Sequence, residues 1–266
     1  MSGARARPWL KIVSVLIGLF LTVPTLIVVP MSFSASDTFT FPPRQWSMKW
    51  YESLFTAPQW TDAILNSLEV GLITATLATV LGTAAAIGLA RLGERVRGLV
   101  TGFLLSPIII PNILIALVIF SAFLRAGLTG SLLGIALAHT ALALPYVVIA
   151  VTARLQGMDP ALQTAASSLG ARPFSVFRKV TLPLALPGVL SGAVLAFVIS
   201  FDEVVIALFL QSPTAVTLPV LMFNSVTVQI DPTISAASSL TVLVVSVPIL
   251  LAQVIGARRG NKERQR

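Results

Sequence analysis

Six long apolar runs, separated by polar or basic segments, set the pattern of this chain. They fall at about residues 10–31, 64–90, 99–124, 132–153, 187–210 and 233–256. A bilayer core about 30 Å thick is crossed by roughly 20 helical residues, so each run predicts one membrane-spanning helix. Lys11 at the edge of the first run is its one charge, and the third and sixth runs carry none. The stretch from Ile12 to Met31 exceeds the apolar core of a cleavable leader, and no clear cleavage site follows it. It is expected to stay in place as an anchor.

The segments between the runs carry their own signals. Residues 32–63 hold Trp46, Trp50, Tyr51 and Trp60, residue types that favour a membrane interface. Residues 211–232 form a second such stretch, with Pro213, Pro219 and a short apolar run. In the loop 154–186, Asp159 before Pro160 predicts a helix start, with a side-chain acceptor followed by a residue that needs no amide partner. Gly170 stands where a left-handed cap ends that helix, and Pro173 opens a second short helix to about Val180. Leu162, Ala165, Ala166 and Leu169 share one face of the first. The loop is long for a connector in a helical bundle, and its small residues suit packing against another protein.

Composition narrows the class. Of 266 residues, 56% are hydrophobic and 11% charged, and the mean hydropathy is +0.92. A soluble protein carries about 25% charged residues, so soluble, disordered and fibrous classes are excluded. The fold class expected is an all-α membrane protein with six transmembrane helices: a transmembrane domain over 10–256, a short N-terminus over 1–9 and a basic tail over 257–266. With no cysteine and one histidine, disulfides, thiolate clusters and multi-histidine metal sites are excluded, and no cofactor or metal is expected. The chain has no G-x-S-x-G, H-E-x-x-H or Walker A motif. It is therefore not expected to be an enzyme, nor to bind ATP by the Walker A route.

The net charge of +8 is unevenly distributed. Fifteen basic residues lie at one set of ends: Arg5, Arg7 and Lys11; Arg91, Arg95 and Arg97; Arg154, Arg172, Arg178 and Lys179; Arg258, Arg259, Lys262, Arg264 and Arg266. Three, Arg44, Lys49 and Arg125, lie at the other. The positive-inside rule then predicts that both termini and the loop 154–186 are cytoplasmic. Anionic lipid headgroups suffice as partners for these charges, without nucleic acid.

Three carboxylates fall inside apolar runs: Glu69, Asp202 and Glu203. A charge in hydrocarbon is costly, so each is a candidate functional group. With Phe197, Phe201 and Phe209 nearby, they would attract an organic cation by charge and cation–π contact. On one continuous helix Asp202, Val205 and Phe209 would share a face, with Glu203 turned about 100° away. The structural alternative pairs Arg125 with Glu69 or Glu203. His139, Asn66 and Asn112 read as packing or gate hydrogen-bond groups, and Pro107, Pro111, Pro145 and Pro248 as kinks.

The string T-A-A-S-S-L-G-A at 164–171, then F-x-x-V-x-L-P ending at Pro183 and L-P-G ending at Gly188, resembles the signature loop of bacterial ABC importer permeases. Ala165, Ala166 and Gly170 match that pattern, as do Val180, Leu182 and Pro183; its leading glutamate is replaced by Thr164. WYESLF (50–55), NSLEVG (66–71), SPIIIPNI (106–113), SFDEVVIALFL (200–210) and TLPVLMFNSV (217–226) are similar to segments of spermidine/putrescine-type permeases. The resemblance implies a type I importer in the bacterial inner membrane. Its partners would be a cytoplasmic ATPase dimer, a second permease (a heterodimer), an extracytoplasmic binding protein and the lipid bilayer. It implies alternating access driven by the ATPase, and a coupling role for Leu162, Thr164, Ala165, Ala166, Leu169, Gly170 and Pro183. The expected cargo is a polyamine. The alternatives are another small solute (amino-acid-like, iron or another ion), or a channel or scaffold.

Overall fold

In lipid, backbone polar groups find no water, and helices satisfy them internally. The computed structural model describes the backbone of residues 8–228 and 230–264, and the side chains of 9–23, 25–228 and 230–251. Arg5, Arg7 and Arg266 lie outside the described residues, as do the side chains of Arg258, Arg259, Lys262 and Arg264.

The described helices are α1 (Pro8–Ser32), α2 (Lys49–Thr56), α3 (Pro58–Leu89), α4 (Glu94–Ile109), α5 (Asn112–Ala126), α6 (Leu132–Gln156), α7 (Ala161–Ser168), α8 (Pro173–Val176), α9 (Leu182–Phe201), α10 (Val205–Leu210), α11 (Leu218–Thr227) and α12 (Thr233–Arg264). A π turn, Phe177–Thr181, joins α8 to α9. Among the described residues, five stretches are long and apolar enough to cross a membrane, and the bent pair α4–α5 makes a sixth. The chain clusters into two units, one up to Thr61 together with Met222–Val244, the other Asp62–Leu221 with the chain from Val245.

In the first unit, α1 leaves its described leucine, isoleucine and valine side chains exposed as far as Leu26, and Phe20 by 78%, while Ile27, Val28 and Val29 are half-buried. A helix apolar all round needs lipid or a partner helix about it. Beyond α1 the chain turns back on itself: Ser47 N–H donates to Phe33 O, Ala35 N–H to Gln45 O, and Ser34 bridges Trp46. The ring of Phe33 lies 5.0 Å from that of Tyr51, whose hydroxyl pairs with Ser32 Oγ at 2.8 Å. Trp60 is fully buried and its indole N–H donates to Asp231 Oδ2 at 3.1 Å. The second oxygen of Asp231 accepts the Thr233 N–H and starts α12.

In the second unit, α6 is the central helix, with twelve buried residues. Helix α9 packs against it through Gly188 and Gly192, the four-residue spacing of small residues that lets membrane helices approach closely. A Cβ at Gly188 would come within 2.9 Å of Ala150 O and of Arg154 Cβ. Arg154 Nε donates to Leu184 O across the same contact. Thr74 on α3 donates to Ala136 O on α6, while Asn66 Nδ2 donates to Val216 O and Ser67 Oγ accepts the Leu218 N–H at the start of α11.

Two predicted continuous spans are broken. The run 99–124 divides at Ile110–Pro111, and the axes of α4 and α5 diverge by 102°. Pro111 has no N–H to return to the Pro107 carbonyl, and Ile110 before it is extended (φ −76°, ψ 131°). The run 187–210 divides at Asp202–Val204, between α9 and α10. The second short helix of the loop, expected to stop at Val180, instead runs on into α9. Pro183 cannot supply the N–H that the Lys179 carbonyl would accept, and the ladder shifts register, with Leu182 N–H reaching Phe177 O.

Candidate functional site

The two breaks open onto one groove of about 410 Å³, lined by Pro107 and Ile108 of α4, Asn112 of α5, Tyr146 of α6, Ile199 of α9 and Asp202 among others. Two helices end there, α4 at Ile109 and α9 at Phe201. The last carbonyls of a helix lack intrahelical partners and carry about half a negative charge. Asp202 is exposed and adds a full negative charge. Among the described residues lining the groove there is no lysine or arginine. The N-termini of α5 at Asn112 and of α10 at Val205 border the same groove and offset those helix ends, so Asp202 is the group that favours a cation there.

Glu203, next in the chain, also borders the groove, but its carboxylate is engaged by the protein. It is 7% exposed, its carboxylate accepts the Ile206 N–H on both oxygens (3.1 and 2.9 Å), and Oε2 also accepts the Ala207 N–H at 3.1 Å. It thereby starts α10. On its other side stands fully buried His139, with Nε2 3.3 Å from Oε2 and Nδ1 2.9 Å from Ser200 Oγ. The expected pairing with Arg125 is replaced by this contact with His139, because α9 ends before Glu203 and the chain turns its side chain inward. The expected face shared by Asp202, Val205 and Phe209 is lost for the same reason, since no continuous helix joins them.

The aromatic groups do not converge on the groove. Phe201 is 1% exposed and stacks on Phe197 at 5.6 Å. Phe209 is half-buried and meets Phe120 edge-on at 6.3 Å. Glu69 is exposed on α3 and is not among the lining residues. The groove therefore gathers Asp202 with Asn112 of α5 and Tyr146 of α6, two residues that the sequence did not bring together with it. Pro107 and Pro111 within SPIIIPNI, read as kinks, were the signal for the bend between α4 and α5.

The loop 154–186 forms an elbow. Asp159 Oδ1 accepts the Ala161 N–H at 2.9 Å, and α7 ends through Gly170 at φ +81°, with Ala171 N–H bonded to Ala166 O. Leu162, Leu169 and Phe174 are 47%, 89% and 71% exposed, an uncovered apolar knuckle. Thr164 and Ala165 are exposed and Ala166 is half-buried. The Thr164 hydroxyl donates back to Pro160 O at 3.2 Å. Pro183 is exposed in the first turn of α9, beyond the π turn.

The family model described as "Binding-protein-dependent transport system inner membrane component" matches residues 78–260. This chain belongs to that family. It is 36% identical over 269 residues to the putrescine transport system permease protein PotI of Escherichia coli, covering 97% of this chain and 94% of that one. It is 33% identical over 242 residues to the spermidine/putrescine transport system permease protein PotC of Haemophilus influenzae, covering 91% and 93%. Its fold is similar to a chain of a bacterial ABC transporter involved in import of the acidic polysaccharide alginate (TM-score 0.71, 16% identity, 94% and 96% covered). The chain is thus a multi-pass inner-membrane permease subunit and not itself an enzyme.

Proposed function

We propose that this permease forms the translocation path of an ATP-driven importer for a polyamine such as putrescine or spermidine. The observation that carries this reading is the groove at the two helix breaks, where Asp202 presents a negative charge and no lysine or arginine is among the described lining residues. A polyamine carries ammonium groups along a flexible chain, and each needs carboxylate or carbonyl acceptors when it leaves water. The names of the relatives point to the same cargo.

An extracytoplasmic binding protein delivers the solute, a second permease completes the path, and a cytoplasmic ATPase pair drives it. The apolar elbow at Leu162, Leu169 and Gly170 is the docking element for that ATPase. Both termini and the elbow face the cytoplasm, because fifteen of the eighteen basic residues lie on that side.

The test is uptake of radiolabelled putrescine and spermidine by the reconstituted complex. Uptake is expected only with ATP, and Asp202→Asn is expected to raise KM about tenfold, the loss of one charge-assisted contact. ATP-independent uptake, or an unchanged KM in D202N, overturns the reading. A reporter fused to the C-terminus checks orientation, which fails if the reporter is active outside.

A further inference from the structure

The hydrogen-bond chain behind Asp202 fixes where one proton sits. Thr74 Oγ1 donates to the Ala136 carbonyl at 3.2 Å, and a carbonyl can only accept. Thr74 must therefore accept from Ser200, whose hydroxyl donates to it at 3.2 Å. Ser200 has then used its one proton, so its oxygen accepts from His139, and Nδ1 carries a hydrogen. The other ring nitrogen, Nε2, is left facing Glu203 Oε2 at 3.3 Å.

A bare Nε2 would set a lone pair against a carboxylate oxygen in a fully buried site. The two atoms are not aligned as a hydrogen bond, and a proton on one of them turns that contact from repulsive to attractive. Both Glu203 oxygens already accept backbone N–H groups, the arrangement suited to a carboxylate. The geometry points to an imidazolium: we infer that His139 and Glu203 form a buried ion pair that acts as a positioning device for Asp202. The pair ties α6 to the first turn of α10, and Ser200 ties the same ring to the last turn of α9. Both sides of the break are thus anchored on one ring. The imidazolium also cancels the charge of Glu203, which leaves Asp202 as the one uncompensated carboxylate at the break. The role of Asp202 in holding solute rests on the polyamine reading; the ion pair does not.

His139 is the only histidine of the chain, so its ring can be read in isolation. In the assembled complex labelled with 15N-histidine in this subunit, near neutral pH, both ring nitrogens are expected to be protonated. In Glu203→Gln the amide can accept from the backbone and donate to Nε2, and the ring is expected to turn neutral with hydrogen on Nδ1. A neutral ring in the wild-type complex overturns the ion pair.

Uptake kinetics test the positioning. Glu203→Gln is expected to keep KM within about twofold. His139→Leu strands the carboxylate and is expected to raise KM about tenfold with a smaller effect on kcat. His139→Leu with Glu203→Gln removes the stranded charge and is expected to recover most of that loss. A ring that served only to fill space would show no such recovery, and its absence overturns the proposal. If wild-type complex carries no polyamine, the cargo reading falls while the nitrogen spectrum still decides the ion pair.

Discussion

Asp202 and Glu203 are adjacent in the chain, yet one carboxylate is exposed in the groove and the other is 7% exposed, bonded to the Ile206 and Ala207 amides. The difference arises because α9 stops at Phe201. The two substitutions to leucine should therefore part company in stability. Asp202→Leu, at an exposed site, is expected to change stability by no more than about 0.5 kcal/mol. Glu203→Leu leaves two buried N–H groups unanswered and is expected to cost about 1–3 kcal/mol for each. Thermal unfolding of the detergent-solubilised complex measures both, and equal shifts would count against the structural role of Glu203.

The bend between α4 and α5 depends on one missing amide hydrogen. Pro111→Ala restores a donor for the Pro107 carbonyl and favours a continuous helix. Phe103 and Val118 are 78% and 70% exposed on the two arms, and the chain has no native cysteine. Spin labels at F103C and V118C are expected to move apart in P111A, toward the roughly 22 Å rise of fifteen helical residues. An unchanged distance would mean that packing rather than Pro111 sets the bend.

Close approach of α6 and α9 makes Gly188 intolerant of size. Its Cβ would meet the Ala150 carbonyl at 2.9 Å, an atom that cannot rotate away. Gly188→Leu is expected to lose at least about 1–3 kcal/mol by overpacking. Fluorescence-detected size exclusion of a tagged protein would show the loss as aggregation or a lowered unfolding temperature. Gly18, with nothing within 4 Å of a Cβ, is the control, and Gly18→Leu should be silent.

At the elbow, Leu169 is 89% exposed and makes no demand on the fold. Leu169→Glu is expected to leave insertion and stability unchanged while abolishing co-purification with the ATPase. Retained association and uptake in L169E would remove the elbow from the coupling path.

Much of this protein was legible residue by residue. Each apolar run became helix, the Asp159–Pro160 start and the Gly170 stop of α7 appear where local chemistry put them, and the family follows from the loop that holds them. These are local effects, decided by transfer into lipid, capping and backbone freedom within a few residues. The aromatic pair failed as a site: Phe201 is consumed by stacking on Phe197, and a helical wheel cannot show which side of a helix is already occupied.

The sequence by itself determined a lipid-embedded helical permease, because hydropathy and capping act over distances shorter than a helix. Only the tertiary structure decided which carboxylate stays exposed in the groove and which is buried against backbone amides and His139. That choice rests on where α9 stops and on a ring sixty-three residues upstream of Asp202, and contacts of that separation leave no periodic trace in the chain.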